Sequence, residues 1–193
     1  MKIVAVLLLS LSLSGCWVGN DFYAPAESVR AIEPGKYKIH REYSQVSDDP
    51  DQVNRGQFND ATDVKISYAP DGRALVRSNG EIDASIATLV EFDKAQGTYI
   101  AQIDMNDTSD KAGVGIGRAV FALIRLTPRG YDLAVPICND YHRIASRPRI
   151  YAKGPLFGLP TCLYNTRADL EAAMVKYAED PIRWTSYWRK IKQ

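Results

Sequence analysis

Between residues 35 and 137 the chain alternates apolar and polar positions in short runs, which is typical of half-buried β-strands. Turn residues separate these runs: Pro70-Asp71-Gly72 presets a bend, and Asn79-Gly80 is typical of a hairpin. The runs predict seven strands, near residues 36–43, 63–69, 73–78, 81–92, 98–105, 118–127 and 131–137. No helix alternates with them, so we expect an antiparallel meander that forms a barrel or a sandwich.

The C-terminal region changes to a helical period. Thr166 precedes Asp169 by three positions, close to a capping box, and an apolar face follows, made of Leu170, Ala173, Met174 and Tyr177. Beyond Asp180-Pro181 a second apolar stripe predicts another short helix, through Trp184, Tyr187, Trp188 and Ile191. The pattern therefore predicts a mainly β fold with a C-terminal helical segment, two short helices within about 166–191, packed at the end of the sheet.

The first fifteen residues have the organisation of a secretory signal. Lys2 precedes an unbroken apolar run from Ile3 to Leu9, and small residues follow. The run is too short to span a bilayer, which takes about 20 residues. The next residues, Leu13-Ser14-Gly15-Cys16, resemble the lipobox of bacterial lipoproteins. The resemblance implies that residues 1–15 are removed as a lipoprotein signal peptide and that Cys16 carries a diacylglyceryl group and a further acyl chain such as palmitate.

This resemblance also implies a compartment and a partner. Acylated Cys16 would hold the chain to the lipid bilayer of the cell envelope, facing the periplasm, because two or three acyl chains make a stable anchor. Trp17 follows the cysteine, where an aspartate would resemble an inner-membrane retention signal, so the outer membrane is favoured.

We expect the chain to divide into three parts. Residues 1–15 are the signal peptide, residues 16–34 are the lipidated cysteine and a tether, and residues 35–193 are a single β-rich domain. Glycine, asparagine and proline without periodicity predict the tether, whose reach as a loose coil is about 23–26 Å. The alternative is that Phe22 and Tyr23 dock on the domain.

Two cysteines remain in the exported chain, Cys138 and Cys162. An even number in an oxidising compartment favours a disulfide. It would close a loop of about 25 residues and contribute about 3–4 kcal/mol. The competing hypotheses are a Cys138 nucleophile with His142, and a metal site that adds Cys162; the first lacks an orienting group and the second lacks paired ligand spacing. We therefore predict no catalytic, metal-binding or cofactor-binding residues.

Composition adds two observations. The 193 residues are 46% hydrophobic and 24% charged with a net charge of +1, which indicates a globular protein and offers no electrostatic case for nucleic acid. The charges are unevenly distributed, with 9 basic and 17 acidic residues in 16–110 against 14 basic and 6 acidic in 111–193. Either the two halves face each other or expose different solvated faces, or one of them presents a polar surface to a partner.

Two further motifs depart from their consensus. Gly113-Val114-Gly115-Ile116-Gly117 has Arg118 where the dinucleotide fingerprint has its last glycine. Asp104, Asn106, Thr108 and Asp110 resemble a calcium loop, but Ser109 and Gly115 replace the required glycine and glutamate.

The sequence thus favours a membrane-anchored bacterial lipoprotein that is a non-catalytic binding or structural module of the cell envelope, with an envelope protein as a possible partner. The first alternative is a barrel-type carrier of a small apolar ligand. Gly35-Lys36-Tyr37 and Asn139-Asp140-Tyr141 are similar to the G-x-W and T-D-Y motifs of lipocalins, each with one departure. The second is an unrecognised envelope hydrolase.

Overall fold

The fold is mainly β with one α-helix. The structure is a computed structural model that describes residues 17–46, 53–57, 62–80, 83–104, 119–128, 130–136, 138, 149–151, 161–179 and 186–191. Its elements in chain order are β1 (Trp17–Gly19), β2 (Gly35–Val46), β3 (Val53–Gln57), β4 (Thr62–Tyr68), β5 (Ala74–Ser78), β6 (Ser85–Asp93), β7 (Thr98–Asp104), β8 (Ala119–Thr127), β9 (Gly130–Ala134), β10 (Arg149–Tyr151), β11 (Thr161–Tyr164), α1 (Arg167–Ala178) and β12 (Ser186–Lys190).

Eight of the strands close into an antiparallel barrel. The ring runs β8-β7-β6-β5-β4-β2-β12-β9, and the pairing of β9 with β8 completes it. Each of the seven strands predicted from alternation is present, so the predicted fold class is confirmed and the barrel is the correct alternative. The Asn79-Gly80 turn is present, but it is not a two-residue hairpin, because the pairing of β5 with β6 ends at Val76 and Ser85.

Alternation along the strands divides the core into an interior and an exterior. The interior cluster comprises Ile32, Tyr37, Val64, Ile66, Ala74, Val76, Ala87, Leu89, Ala101, Ala122, Ile124, Tyr131 and Trp188. Neighbouring positions on the same strands, such as Val90, Ile100, Phe121 and Leu123, belong to a second cluster that packs beneath α1. Two apolar clusters on the two faces of one wall explain why β8 reads as an almost continuous apolar run.

β8 also joins the barrel to a smaller extension. Its second half pairs with β9 from Leu123 onwards, whereas its first two residues pair with β1 on the same edge. β1 continues the sheet to β11 and β10. Helix α1 covers this extension, with Leu170, Ala173, Met174 and Tyr177 buried as predicted, and the Thr166 hydroxyl accepts a hydrogen bond from the Asp169 backbone N–H.

The second predicted helix is wrong: this part of the chain forms strand β12. β12 lies between β2 and β9 and fills the last gap in the ring. Trp188 points into the barrel, while Tyr187, its neighbour, stacks on His40 outside at 4.9 Å. The aromatic residues of this segment fit the period of a helix and that of a strand equally well. The segment forms a strand because a strand is needed between β2 and β9 to close the barrel.

Residues 17–34, for which the sequence predicts a tether, pack against the barrel instead. Trp17 is fully buried between Tyr164 and Tyr177, and Tyr23 is also buried. The backbone of Tyr23 exchanges two hydrogen bonds with the Gln102 side chain. The docking alternative for Phe22 and Tyr23 is therefore correct, since Phe22 stacks on Phe121 with ring centroids 5.7 Å apart.

The start of β9 requires glycine. Gly130 has φ of +131°, and a side-chain carbon there would overlap the Trp188 carbonyl oxygen of β12. Gly80 is a matched control, because its φ is +85° but nothing lies within 4 Å of the added carbon. Gly80→Ala should cost on the order of 1–2 kcal/mol from backbone strain alone. Gly130→Ala should cost about 1–3 kcal/mol more from overpacking.

Urea unfolding of the two variants measures this difference. Equal losses of unfolding free energy at the two positions would mean that β12 does not approach β9 as described.

Candidate functional site

The barrel interior is filled by its own side chains. Among the described residues, the cavity inside the barrel has a volume of about 20 Å³, and the residues around it are almost all apolar, including Ala87, Ala101 and Trp188. Pockets that bind small molecules have about 300–1,000 Å³. Gly35-Lys36-Tyr37 opens the first barrel strand, and Tyr37 packs inside against Tyr131 and Trp188. The interior as described therefore has no room for the ligand that the carrier hypothesis requires.

Residues 28–34 cross one mouth of the barrel and close it. Three tyrosine hydroxyls bind the backbone of this segment: Tyr68 donates to the Ile32 carbonyl at 2.6 Å, Tyr37 donates to the Glu33 carbonyl at 2.6 Å, and Tyr131 accepts from the Glu33 N–H at 3.1 Å. The Val29 N–H donates to the Leu89 carbonyl at 2.7 Å. Ile32 is thereby held in the interior cluster.

Burial perturbs the pKa of two of these hydroxyls, those of Tyr37 and Tyr68. It raises the pKa of Tyr37, and the neighbouring Tyr131 and the Glu33 carboxylate act in the same direction. Burial also raises the pKa of Tyr68, although its hydrogen bond with Ile32 opposes the shift. The network that closes the mouth thus depends on the neutral form of these tyrosines.

A second network ties the N-terminal segment to α1. Arg167 donates to Glu27 at 2.7 Å and to Glu171 at 2.8 Å, and its guanidinium lies 4.3 Å from the centre of the Tyr23 ring. The hydrogen bond from Arg167 holds the pKa of Glu27 below its ordinary value. These groups already satisfy one another, so we assign them a structural role.

The predicted disulfide between Cys138 and Cys162 is present, with Cα atoms 5.2 Å apart. Both cysteines are buried in the cluster beneath α1, and Cys162 is in register with Trp17 on β1. The bridge therefore connects the end of β9 to the extension around β1. A bridged Cys138 is neither a nucleophile nor a metal ligand. Cys16, His142 and the Asn139-Asp140-Tyr141 segment lie outside the described residues, so lipidation stays a prediction.

The outer face of β2, β4, β5 and β12 carries an excess of positive charge, and we call this face the basic wall. Six charged side chains are described on it, and five are cationic: Lys36, Lys38, Lys65, Arg77 and Arg189, against the single carboxylate of Asp63. All five cations are exposed. Their strand neighbours Tyr37, Val64 and Trp188 point inwards, which fixes the cations on the outside.

Three of these cations form a row across paired strands, which we call the cationic row. Lys65 of β4 lies opposite Lys36 of β2 on one side and opposite Arg77 of β5 on the other. Within the part of the chain that the structure describes, none of the three forms an ion pair, whereas Lys38 lies 3.8 Å from Asp63. Like charges directly opposite one another on paired strands repel. The row is therefore a place where an anion would be stabilising.

A groove of about 250 Å³ lies along the cationic row. Its lining includes all three cations together with Asp63, Val64 and Ile191. Ile191 continues the row on the β12 side, because its N–H donates to the Lys36 carbonyl at 2.8 Å. The groove thus combines positive charge with an apolar end.

A larger depression of about 450 Å³ lies between the β6–β7 turn and the end of α1, lined by Phe92, Lys94, Val175 and Glu179 among others. Its charges are mixed. Among the described residues, no three histidine, cysteine, aspartate or glutamate side chains are grouped so that they could share a metal ion.

The remaining sequence motifs lie largely outside the described residues. Gly113 to Gly117 lie outside the described residues, as do Asn106, Thr108 and Asp110. Asp104 is described and accepts a hydrogen bond from Arg73 at 3.0 Å, while burial raises the pKa of its carboxyl. The C-terminal apolar stripe and its neighbours are described only in part: Trp188 is in the barrel, Lys190 pairs with Glu33, and Arg189 lies on the basic wall.

Comparison with known proteins adds no relative. The chain matches no family model, no curated protein and no solved structure. Among the helices of the described residues, none has the length and apolar character needed to cross a membrane. The class that the fold and the site define is an eight-stranded antiparallel barrel with a closed mouth, a filled interior and a basic outer wall.

The mouth tyrosines predict loss of stability in alkali. An unfolded tyrosine ionises at about pH 10. Because the folded pKa values of Tyr37 and Tyr68 are raised, their contribution is complete below about pH 10 and decreases as the pH rises above it. In Tyr37→Phe the unfolding free energy should be about 1 kcal/mol lower at pH 7, from the lost hydrogen bond, and should fall less steeply above pH 10.

Urea unfolding at pH 7 to 11 follows both quantities. If Tyr37→Phe and the original protein lose stability at the same rate above pH 10, the hydroxyl is not held in its neutral form at the mouth.

Proposed function

We propose that this chain is a lipid-anchored protein of the bacterial cell envelope whose barrel is a non-catalytic binding or structural module acting through its outer surface. The filled interior, with about 20 Å³ free, is the observation that supports a module acting through its outer surface. The described residues fill the space in which a barrel carrier holds its ligand, so the accessible chemistry lies on the outside. The basic wall is the most distinctive part of that outside.

The anchor is proposed from the leader and the lipobox Leu13-Ser14-Gly15-Cys16. The disulfide supports it indirectly, because such bridges are typical of exported proteins. The outer membrane is the favoured location, since Trp17 and not an aspartate follows Cys16.

The burial of Trp17 determines how close the proposed anchor would lie to the barrel. Trp17 is fully buried in β1, so acyl chains on Cys16 would be attached one residue before the folded domain. A flexible spacer would hold the barrel some distance from the bilayer, and here the described chain has none. The proposed anchor therefore holds the β8 side of the barrel, to which β1 is paired, against the lipid surface.

The test expresses the full chain in a bacterial host and compares it with Cys16→Ser. The original protein should begin at residue 16, carry the mass of the diacylglyceryl and acyl groups, and fractionate with the outer membrane. Cys16→Ser should carry no acyl mass and should no longer fractionate with the outer membrane, because the sulfur that accepts the lipid is gone. Ser14→Ala is a matched control that keeps a small residue in the lipobox and should behave as the original.

Intact-mass spectrometry and density-gradient fractionation read these outcomes. A product that begins at Trp17 without acyl mass, or one that keeps its leader, would contradict the anchor. Outer-membrane fractionation of Cys16→Ser equal to that of the original would also contradict it.

A further inference from the structure

The basic wall and the proposed anchor lie on opposite sides of the barrel. In the ring of eight strands, β4 is four strands from β8 in either direction. β4 carries Lys65 at the centre of the cationic row, whereas β8 pairs with β1, which follows Cys16. With the anchor one residue from β1, the wall cannot lie flat on the bilayer that holds the acyl chains. It faces the aqueous compartment.

The geometry of the cationic row determines the spacing that the negative groups of a partner must match. Neighbouring strands are about 4.8 Å apart. Lys36, Lys65 and Arg77 on three neighbouring strands therefore present positive groups at intervals of about 5 Å. None of them is neutralised by a described side chain, so the row lacks the counter-charges that Glu33 and Glu27 supply to Lys190 and Arg167 elsewhere.

The apolar end of the groove further restricts the class of partner that fits it. Ile191 is 36% exposed and ends the row beside Lys36. Protein interfaces combine apolar contacts with a charged rim, whereas a nucleic-acid backbone presents charge alone to such a surface. The bilayer that would hold acylated Cys16 lies on the opposite side of the barrel. A peptide segment is the occupant that satisfies both parts of the groove.

We infer that the basic wall is a docking surface for an acidic segment of a partner protein, whose carboxylates meet Lys36, Lys65 and Arg77 while an apolar side chain meets Ile191. This inference rests on the proposed function in that it takes the barrel to act through its exterior. The charge match itself does not depend on the anchor. Electrostatic complementarity of this kind accelerates association and selects partners, so binding should weaken with salt.

The test mixes the full chain with neutral phosphatidylcholine vesicles and a fluorescent peptide that has glutamates on both sides of one leucine. The wall variant replaces Lys36, Lys65 and Arg77 with glutamine. The control variant replaces Arg30, Lys94 and Lys176, three exposed cations elsewhere, so that net charge changes equally. The wall variant should bind the peptide about tenfold more weakly, because three exposed ion pairs are lost. The control should stay within about twofold of the original.

Two additional probes separate the alternatives. A peptide with glutamine in place of glutamate should bind about as weakly as the acidic peptide binds the wall variant, and vesicles containing phosphatidylglycerol should not compete for the wall. Equal losses in the wall and control variants would show a non-specific effect of net charge and overturn the proposal. Competition by phosphatidylglycerol vesicles would assign the wall to a lipid surface, and absence of peptide binding would also overturn it.

The proposed anchor is tested separately, by measuring the intact mass of the protein in the same preparation to determine whether Cys16 is acylated. Peptide binding with an unmodified Cys16 would contradict the anchor and leave the docking surface intact. An acylated Cys16 without peptide binding would support the anchor and overturn the docking surface.

Discussion

The structure depends on filling a narrow barrel with its own side chains. Eight strands enclose a space that side chains can fill, and here alanines at Ala74, Ala87, Ala101 and Ala122 alternate with larger residues to fill it. Ile32 enters from the segment that crosses the mouth, and Trp188 enters from the last strand. Both come from parts of the chain far from the central meander. The interior is therefore complete only when the N-terminal segment and β12 are in place.

This dependence explains which elements the sequence predicts and which it does not. Strands β4 to β9 have one face inside the barrel, so alternation identifies them. Helix α1 carries its own cap at Thr166 and an apolar face, so its period is sufficient. For β12 the same aromatic residues fit both periods, and only the gap between β2 and β9 makes it a strand. The docking of residues 17–34 likewise depends on partners, such as Gln102 and Tyr68, that are distant in sequence.

The candidate site is also predictable only in part from the sequence. The disulfide is predictable because the leader indicates export and leaves two cysteines. The cationic row is not, because Lys36, Lys65 and Arg77 are single positively charged residues in the acidic half of the chain. Strand pairing brings them together, so the charge asymmetry along the sequence does not describe the surface. A sheet register is needed before such a row can be recognised.

The claim that the interior is filled and that binding occurs outside is tested most directly by native mass spectrometry of the full chain after incubation with excess palmitic acid. If the interior is filled, the native mass should equal the denatured mass, with no additional ligand retained. One molecule of fatty acid held by each folded protein and released on denaturation would contradict it, because about 20 Å³ cannot hold such a chain.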